Sequence, residues 1–562
     1  MAKIEFFALG GLDERGKECY ALTINGDTYL LNCGITTPPA IGLGIKKIIP
    51  DINWINDNKQ NIKGIFVLAP SYERFGALEH FYQNVTNIPI YTTDVGASII
   101  TTYFNKRVKR NSPQPVKLNI RILQPLKSEK VGNTQITPFR ITNSIPHSVG
   151  LIFNTQDGNI VYLDDFIISS NKNSAFEDQL LEINKITNHK NLMLISGTGN
   201  VFNGNGFTSP NHKISGFVDS VLFDAPSRTI VACYDDDIYK ILSVASTAMN
   251  KNRPVCVYSN TLGEVFKYLH DKNIFNQKNF LFINDNELDK SNNAVIIVTG
   301  TPSRLFTKLE KILNDDDPKI HVKSDDTFIF VENTVNGFEK LEAEMFDNVA
   351  KNDIKHYKIP SSVLPVSASK EDQKYLIEIL KPKYIIPISG LYMDFIAYSK
   401  AIYQTGFSKQ NMIILDNGKC VKITSGELED KKSFVELEQK FISSVGVLDV
   451  GANSMFERDQ MKENGAVLLS ILFDKQSQTI KRFNYDLVGI TNLSESNKVI
   501  INQINTECNK QITSLIVEEM KKSKLDIKEI KNVIRKVVDK QYEKKFNKRP
   551  LVITTIMFTK NY

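Results

Sequence analysis

Short apolar runs closed by turn residues recur along this chain and constrain its fold more than any other feature. Ile4 to Leu9 ends at Gly10-Gly11, while Cys19 to Ile24 and Thr28 to Asn32 flank Asn25-Gly26-Asp27, a sequence suited to a tight hairpin. Ile65 to Leu68 reads as a short buried strand, followed by a loop and a helical pattern from Ala77 to Tyr82. Val149 to Phe153, Ile160 to Leu163 and Leu192 to Ile195 continue the series. Strands of this length joined by crossovers predict a layered α/β domain, not a helical bundle.

From about Asn200 to Ile359 the rhythm changes. Thr229 to Cys233, Val255 to Tyr258, Phe280 to Ile283, Ala294 to Thr299 and Thr327 to Val331 read as buried strands. Helical stretches such as Ile238 to Met249 and Leu262 to Asp271 lie between them, which predicts a second, doubly wound α/β unit. Glu371 to Leu380 and Tyr384 to Ile388 then return to a helix-then-strand order. The remainder, from Ser443 to Tyr562, reads as a small α+β domain. Its strands are expected at Gly465 to Phe473 and Leu551 to Met557, with two charged helices between Ser496 and Phe546.

Composition excludes several classes. At 562 residues the chain is too long for one core, and its 41% hydrophobic and 23% charged content is that of a soluble globular protein. No apolar run approaches the roughly 18–20 residues that span a bilayer. The amino-terminal segment runs straight into a strand, so no signal peptide is expected. Six scattered cysteines without a CxxC pair argue against a structural zinc site or a disulfide framework and predict a cytoplasmic protein. Of the net charge of +6, the segment Met520 to Pro550 alone carries +8, from 12 Lys/Arg against 4 Asp/Glu, leaving −2 elsewhere. A second basic cluster, Lys106, Arg107, Lys109 and Arg110, precedes the loop Ser112 to Pro115. Such clusters attract phosphate backbones, or are simply solvated helix faces.

Several short strings, in order, resemble the ribonuclease J family, a metallo-β-lactamase/β-CASP fold. Phe6-Phe7-Ala8-Leu9-Gly10-Gly11 through Gly16 resembles its opening strand and glycine-rich turn. Pro50-Asp51-Ile52 and Ile62-Lys63-Gly64-Ile65-Phe66 resemble the approach to its metal-binding loop, where a His-x-His-x-Asp-His signature precedes Gly-Ala-Leu. Gly76-Ala77-Leu78 sets the register, so the three histidine positions fall on Ala69, Ser71 and Arg74 and the aspartate position on Glu73. Arg140 through Gly150, ending Ser144-Ile145-Pro146-His147-Ser148-Val149-Gly150, resembles the segment whose ligand histidine falls on Asn143, with His147 on a non-ligand position. Gly158-Asn159-Ile160-Val161 and Asp164-Asp165-Phe166 resemble the strand delivering the bridging aspartate, which Asp165 keeps. After Lys381-Pro382-Lys383-Tyr384, the last ligand histidine falls on Ser389. The Ser-Gly-His-Ala-Ser loop that cradles the RNA end is represented by Ser367, Ala368 and Ser369, and an acidic family position falls on Gly197. Thr299-Gly300-Thr301, Gly206-Phe207-Thr208 and Lys548-Arg549-Pro550 resemble further family strings.

The resemblance implies a four-layer αββα metallo-β-lactamase fold. Its domain would occupy residues 1–200 and 359–440, with a β-CASP α/β insert at 201–358 and a C-terminal α+β oligomerisation domain at 441–562. It also implies that a site built for two zinc ions has lost most of its ligands. A two-metal hydrolase needs imidazole and carboxylate ligands. Alanine supplies none, and Arg74 places a permanent cation where a metal would sit. No catalytic residue is assigned and no cofactor is expected, although one weak ion through Asp165, with His147, Asp164 and Glu73, stays open. Arg74 would pair with Asp165 or Glu73, or else hold an RNA phosphate. Serines 71, 367 and 389 lack the base that a nucleophile requires. Asp235-Asp236-Asp237 is expected at a helix start and Asp315 to Asp317 in a solvated turn. Three functions follow: a non-catalytic or weakly active subunit binding RNA and a catalytic ribonuclease J paralogue as a homo- or hetero-oligomer; an active ribonuclease on a rearranged metal site; or a free-standing RNA-binding regulator. No membrane partner is expected.

Overall fold

The computed structural model describes residues 1–37, 44–111, 117–169, 174–259, 261–275, 283, 288, 291–430, 433–443, 452–492, 494–520 and 526–559. It separates into two compact units, residues 1–40 with 46–440, and residues 41–45 with 441–562.

In the first unit the strands Lys3–Gly10, Cys19–Ile24 and Asp27–Leu31 pair antiparallel. Asn25 (φ 51°) and Gly26 (φ 89°) turn the hairpin, both in the left-handed conformation that matches strand twist. Ile62–Val67, Ile90–Thr92 and Ile120–Ile122 extend this sheet in parallel, and Lys419–Thr424 returns from far along the chain to pair with Lys3–Gly10. A second sheet runs in the order Tyr384–Ile388, Asn191–Gly197, Gly158–Leu163, Val149–Thr155, Thr134–Arg140 and Glu129–Val131. The two sheets share one apolar core. Tyr29 of the first meets Phe153 of the second at 5.3 Å between ring centroids, with Phe66 beside them. Asn191–Gly197 is buried at every position because both faces are covered: Met193 and Ile195 face the inter-sheet core, whereas Leu194 faces the helices Lys370–Leu380 and Tyr392–Tyr403.

Between Asn191–Gly197 and its parallel neighbour Tyr384–Ile388 the chain makes an excursion into a five-stranded parallel sheet. Its order is Val255–Tyr258, Val295–Gly300, Thr229–Tyr234, Thr327–Phe330 and Lys355–Lys358. Val231, Val295 and Ile297 pack against the helices Ile238–Asn250 and Leu262–Asp271. Ile230, Ile296 and Val298 pack on the opposite face against Pro302–Leu313 and Glu339–Lys351, so the sheet is doubly wound as expected.

Among its described residues the second unit carries a three-stranded sheet in the order Thr479–Val488, Ala466–Asp474 and Leu551–Phe558. The helices Glu495–Met520 and Ile527–Phe546 supply Ile504, Ile512, Ile534 and Val538 to the core on one face.

Several expectations are refined. The helical segment expected from Ala77 to Tyr82 is present as Leu78–Phe81, tightening into a 3-10 turn at Tyr82–Asn84, and a separate turn, Tyr72–Phe75, precedes it. Asp317 is not solvated: it is 6% exposed and accepts the Tyr258 hydroxyl at 2.9 Å and two backbone amides. Thr479–Val488 is a further strand, whose polar/apolar alternation is interrupted at Lys481-Arg482, opposite the register shift between Leu472 and Phe473. The strand expected at Phe280 to Ile283 lies largely outside the described residues, as do Ser112 to Pro115 and the side chains of Arg107, Lys109 and Arg110.

Candidate functional site

The carboxyl ends of three neighbouring parallel strands carry the candidate site. Leu163 is in register with Ser196, and Gly197 with Ile388, so Asp164, Asp165, Thr198 and Ser389 emerge together at one edge. The first sheet brings three loops to the same place: residues 11–18, Asn32 to Gly34, and residues 68–76. These loops are tied by backbone bonds, Glu18 N to Glu73 O at 3.2 Å, Gly34 N to Glu18 O at 2.8 Å and Cys33 N to Arg74 O at 2.6 Å. The contact is close enough to require glycine, since a Cβ on Gly34 would lie 1.4 Å from the Glu73 carbonyl oxygen.

Arg74 stands at the centre. Its Nε donates to Glu18 Oε2 at 3.1 Å and lies 4.0 Å from Asp164 Oδ2, while a terminal nitrogen donates to the Ala69 carbonyl at 3.4 Å. Glu18 is 4% exposed and Asp164 1%. The Ser389 hydroxyl donates to Glu18 Oε1 at 2.7 Å. Asn32 Nδ2 donates to Asp164 Oδ1 at 2.7 Å and to Glu18 Oε2 at 3.2 Å, and the Tyr162 hydroxyl also donates to Asp164. Burial works against the guanidinium charge, but Glu18, Asp164 and Asp165 outweigh it and hold Arg74 more firmly protonated than usual. Burial pushes the Asp164 carboxyl up to about 6, with Arg74 opposing the rise. Glu73 is an exposed side chain whose carboxyl is pushed up to about 7, by desolvation among its neighbours and then by the charges of Asp236 and Glu18.

The other positions read from the sequence serve the framework. Asn143 donates to the Asp165 carbonyl at 3.2 Å and accepts from Ile145 N and the Ser148 hydroxyl. Asp165 Oδ1 accepts from Phe166 N at 2.8 Å and Ala368 N at 3.1 Å, and burial raises its pKa. Ser71 is buried at the start of the Tyr72–Phe75 turn, and Ala69 is fully buried. Ala368 and Ser369 are buried too. The Ser369 amide donates to Asp372 Oδ2 at 2.9 Å in the first turn of the helix Lys370–Leu380, and Ser367 alone of the three lines the cleft.

Two expectations are revised here. Arg74 pairs with Glu18 and faces Asp164; its anticipated partners Asp165 and Glu73 make no direct bond to it. His147 does not join Asp164, Asp165 and Glu73, because its Nδ1 is 2.8 Å from Asp94 Oδ1. Among the described residues no group of three or more His, Cys, Asp or Glu side chains is placed to hold a metal ion. The donor set therefore does not fit a two-metal centre: where imidazoles would stand, a guanidinium already neutralises the carboxylates. Glu18 was missed by sequence reasoning. The available signal was an acidic residue immediately before Cys19–Ile24, a strand that is buried almost throughout.

Beside the cluster runs a cleft of about 810 Å³, lined by Arg15, Lys358 and Ser367 together with Asp236, Glu332 and Asp394. Lys240 in its wall is bound to Glu332 at 2.6 Å and Asp237 at 3.0 Å; Asp237 also caps the helix Ile238–Asn250.

A model of the ribonuclease J β-CASP domain matches residues 226–349, and one of the ribonuclease J C-terminal domain matches residues 454–558. The uncharacterized protein MG423 of Mycoplasma genitalium is 38% identical over 571 residues, covering 99% of this chain and 100% of that protein. Ribonuclease J2 of Bacillus subtilis is 24% identical over 560 residues, covering 99% and 98%. The chain belongs to the ribonuclease J family. Its two-sheet sandwich is the metallo-β-lactamase fold of ribonuclease J, the five-stranded unit its β-CASP insert, and the three-stranded unit its C-terminal domain. A crystal structure of a protein of unknown function from Enterococcus faecalis V583 shares this fold, with a TM-score of 0.53 at 12% identity, covering 75% of this ribonuclease J-family chain and 100% of that one.

Proposed function

We propose that this chain is a non-catalytic subunit of RNA decay and maturation, which binds RNA and a catalytic ribonuclease J paralogue and carries no resident metal. The observation that carries this reading is the Arg74 cluster. A metallohydrolase needs a Lewis acid that activates water and takes up developing negative charge. Here the equivalent loops hold a guanidinium locked to Glu18 and facing Asp164, a fixed cation with no open coordination position. The arrangement keeps the pocket folded and charge-balanced without an ion. His147, committed to Asp94, supplies no free imidazole to the cluster. The persistence of the cleft beside this cluster, with Arg15 and Lys358 on its walls, supports retained binding of a phosphate backbone.

The deciding experiment is a nuclease assay on 5′-monophosphorylated RNA with added manganese, with Asp165→Ala as control. The expected result is no cleavage above background in either protein, together with RNA retention and co-purification with an active ribonuclease J. Cleavage that disappears in Asp165→Ala would sink the reading, because it would mean that a working metal site had been assembled from other residues.

A further inference from the structure

The second unit presents a charged helix face that neither the Arg74 cluster nor the cleft uses. From Asp526 to Arg549 the chain carries nine Lys and Arg against four Asp and Glu. The helix Ile527–Phe546 turns Ile530, Ile534, Val538 and Tyr542 into the core of the unit. At about 3.6 residues per turn, Lys536 and Lys540 each lie about 160° around the helix from Val538, on the side away from that core. Lys544 continues the same row, so three exposed ammonium groups line one ridge over about 12 Å of helix.

The acidic residues of the helix do not balance this row. Asp526 is its N-cap, accepting from Lys528 N and Glu529 N, Asp539 faces Arg535 at 3.9 Å, and Glu543 accepts from Arg549 at 2.6 Å. Lys536, Lys540 and Lys544 have no acidic partner among the described residues. Two ordinary reasons for exposed lysines fall short. Cations in the last turn favour the negative end of the helix dipole, which accounts for Lys544 and Lys545 but not for Lys540 and Lys536, one and two turns further back. A solvated face also needs charge, but the helix Glu339–Lys351 meets that need with opposite signs four residues apart, Lys340 with Glu344 at 3.7 Å and Lys351 with Asp347 at 2.6 Å. Ile527–Phe546 sets like charges at that spacing instead, which weakens a helix until anions lie across it.

The ligand that such a row selects is a chain of regularly repeated anions. Lysine binds phosphate as a point charge on a flexible stem, without the fixed fork of arginine. The aromatic residues of the helix, Tyr542 and Phe546, belong to the core and offer no ring to a base. We propose that this helix face is a second RNA-binding surface, which takes the phosphate backbone without reading the bases. It shares its ligand with the cleft beside the Arg74 cluster and none of its residues, so either surface can fail without the other.

The test is binding of labelled oligouridylate and oligoadenylate to the full chain between about 50 and 200 mM salt. Three variants are compared with the parent: the triple Lys536→Gln, Lys540→Gln, Lys544→Gln; Arg15→Ala in the cleft; and the triple Lys59→Gln, Lys190→Gln, Lys311→Gln, which removes the same charge from exposed positions elsewhere. Thermal unfolding confirms that each is folded. The ridge variant is expected to bind both oligomers roughly tenfold more weakly, with the slope of log K against log salt reduced by about 2, the loss of three phosphate contacts on a single strand. The triple at Lys59, Lys190 and Lys311 keeps the parent slope. Loss in both the ridge variant and Arg15→Ala supports both surfaces, and loss in the ridge variant alone supports the ridge against the cleft. Loss in Arg15→Ala alone overturns the ridge and leaves the cleft standing. The proposal also falls if the parent binds neither oligomer, or if the charge-matched triple loses as much slope as the ridge variant. An unchanged RNA affinity accompanied by loss of a co-purifying acidic protein would assign the face to that protein and overturn the proposal as well.

Discussion

Removing Arg74 leaves Glu18 and Asp164 in a buried space with no cation between them, and both carboxyls are too enclosed to recover solvation from water. Deleting one partner of a buried charge network typically costs about 3–5 kcal/mol. Arg74→Met is therefore expected to lower the unfolding free energy by about that amount at pH 7.5 in urea titrations. The pH dependence follows from the sign of the carboxyl shifts. Asp164 already titrates at about 6 because it is buried; without the opposing guanidinium it holds its proton to still higher pH than in the unfolded chain, so stability falls as pH rises. The deficit of Arg74→Met should thus shrink at pH 5.5; a deficit that widens on acidification would refute this account of the cluster. Glu73 gives a milder case of the same sign. Its carboxyl titrates near 7 in the fold, so ionising it between about 4.5 and 7 opposes folding. Because this side chain is exposed, solvent limits the effect to below about 1 kcal/mol. Glu73→Gln should flatten the melting-temperature profile across pH 5 to 8, with its gain confined to the alkaline end.

Asp372 shows how one element positions a loop. From the first turn of Lys370–Leu380 it accepts from Ser369 N at 2.9 Å, Thr208 N at 2.9 Å and Ile168 N at 3.2 Å, joining three segments around residues 367–369. Asp372→Ala removes the cap and leaves buried amides unmet, at an expected cost of about 2–4 kcal/mol. Faster amide exchange at residues 206–208 and 367–369 than in the sheet cores would confirm the linkage; uniform exchange would refute it. This is also where reading the sequence reached its limit. Val255–Tyr258, Leu262–Asp271 and Tyr384–Ile388 were legible to the residue, because apolar runs bounded by turn formers leave few alternatives. Thr479–Val488 was not, because it is half solvated and its register comes from Ala466–Asp474. At the site, the lost ligand positions were readable one by one. The partner of Arg74 was not, because Glu18 lies 56 residues away and only the backbone bonds of the 11–18 and 68–76 loops bring it there.

At the scale of the molecule, the question is whether the fold still depends on an ion. An ion that binds the native state and not the unfolded chain stabilises by about 2.7 kcal/mol at a hundredfold excess over its dissociation constant, so its removal lowers the melting temperature measurably. In this chain the buried carboxylates of the site are balanced internally, Glu18 by Arg74 and Ser389, and Asp164 by Asn32, Tyr162 and Arg74. Replacing a dissociable cation by a covalently attached one makes charge balance independent of metal supply, and it removes the coupling between folding and metal binding that a metallohydrolase carries. The expected outcome is a melting temperature unchanged by EDTA and unraised by excess zinc or manganese, in protein whose metal content is far below one ion per chain. Arg74→Met sharpens the test, since its buried carboxylates, left without a cation, gain an incentive to take one up. If zinc stabilises that variant and not the parent, the guanidinium occupies the electrostatic role of the metal. A parent protein that loses stability on chelation would show instead that an ion is held by side chains other than those at the inherited ligand positions.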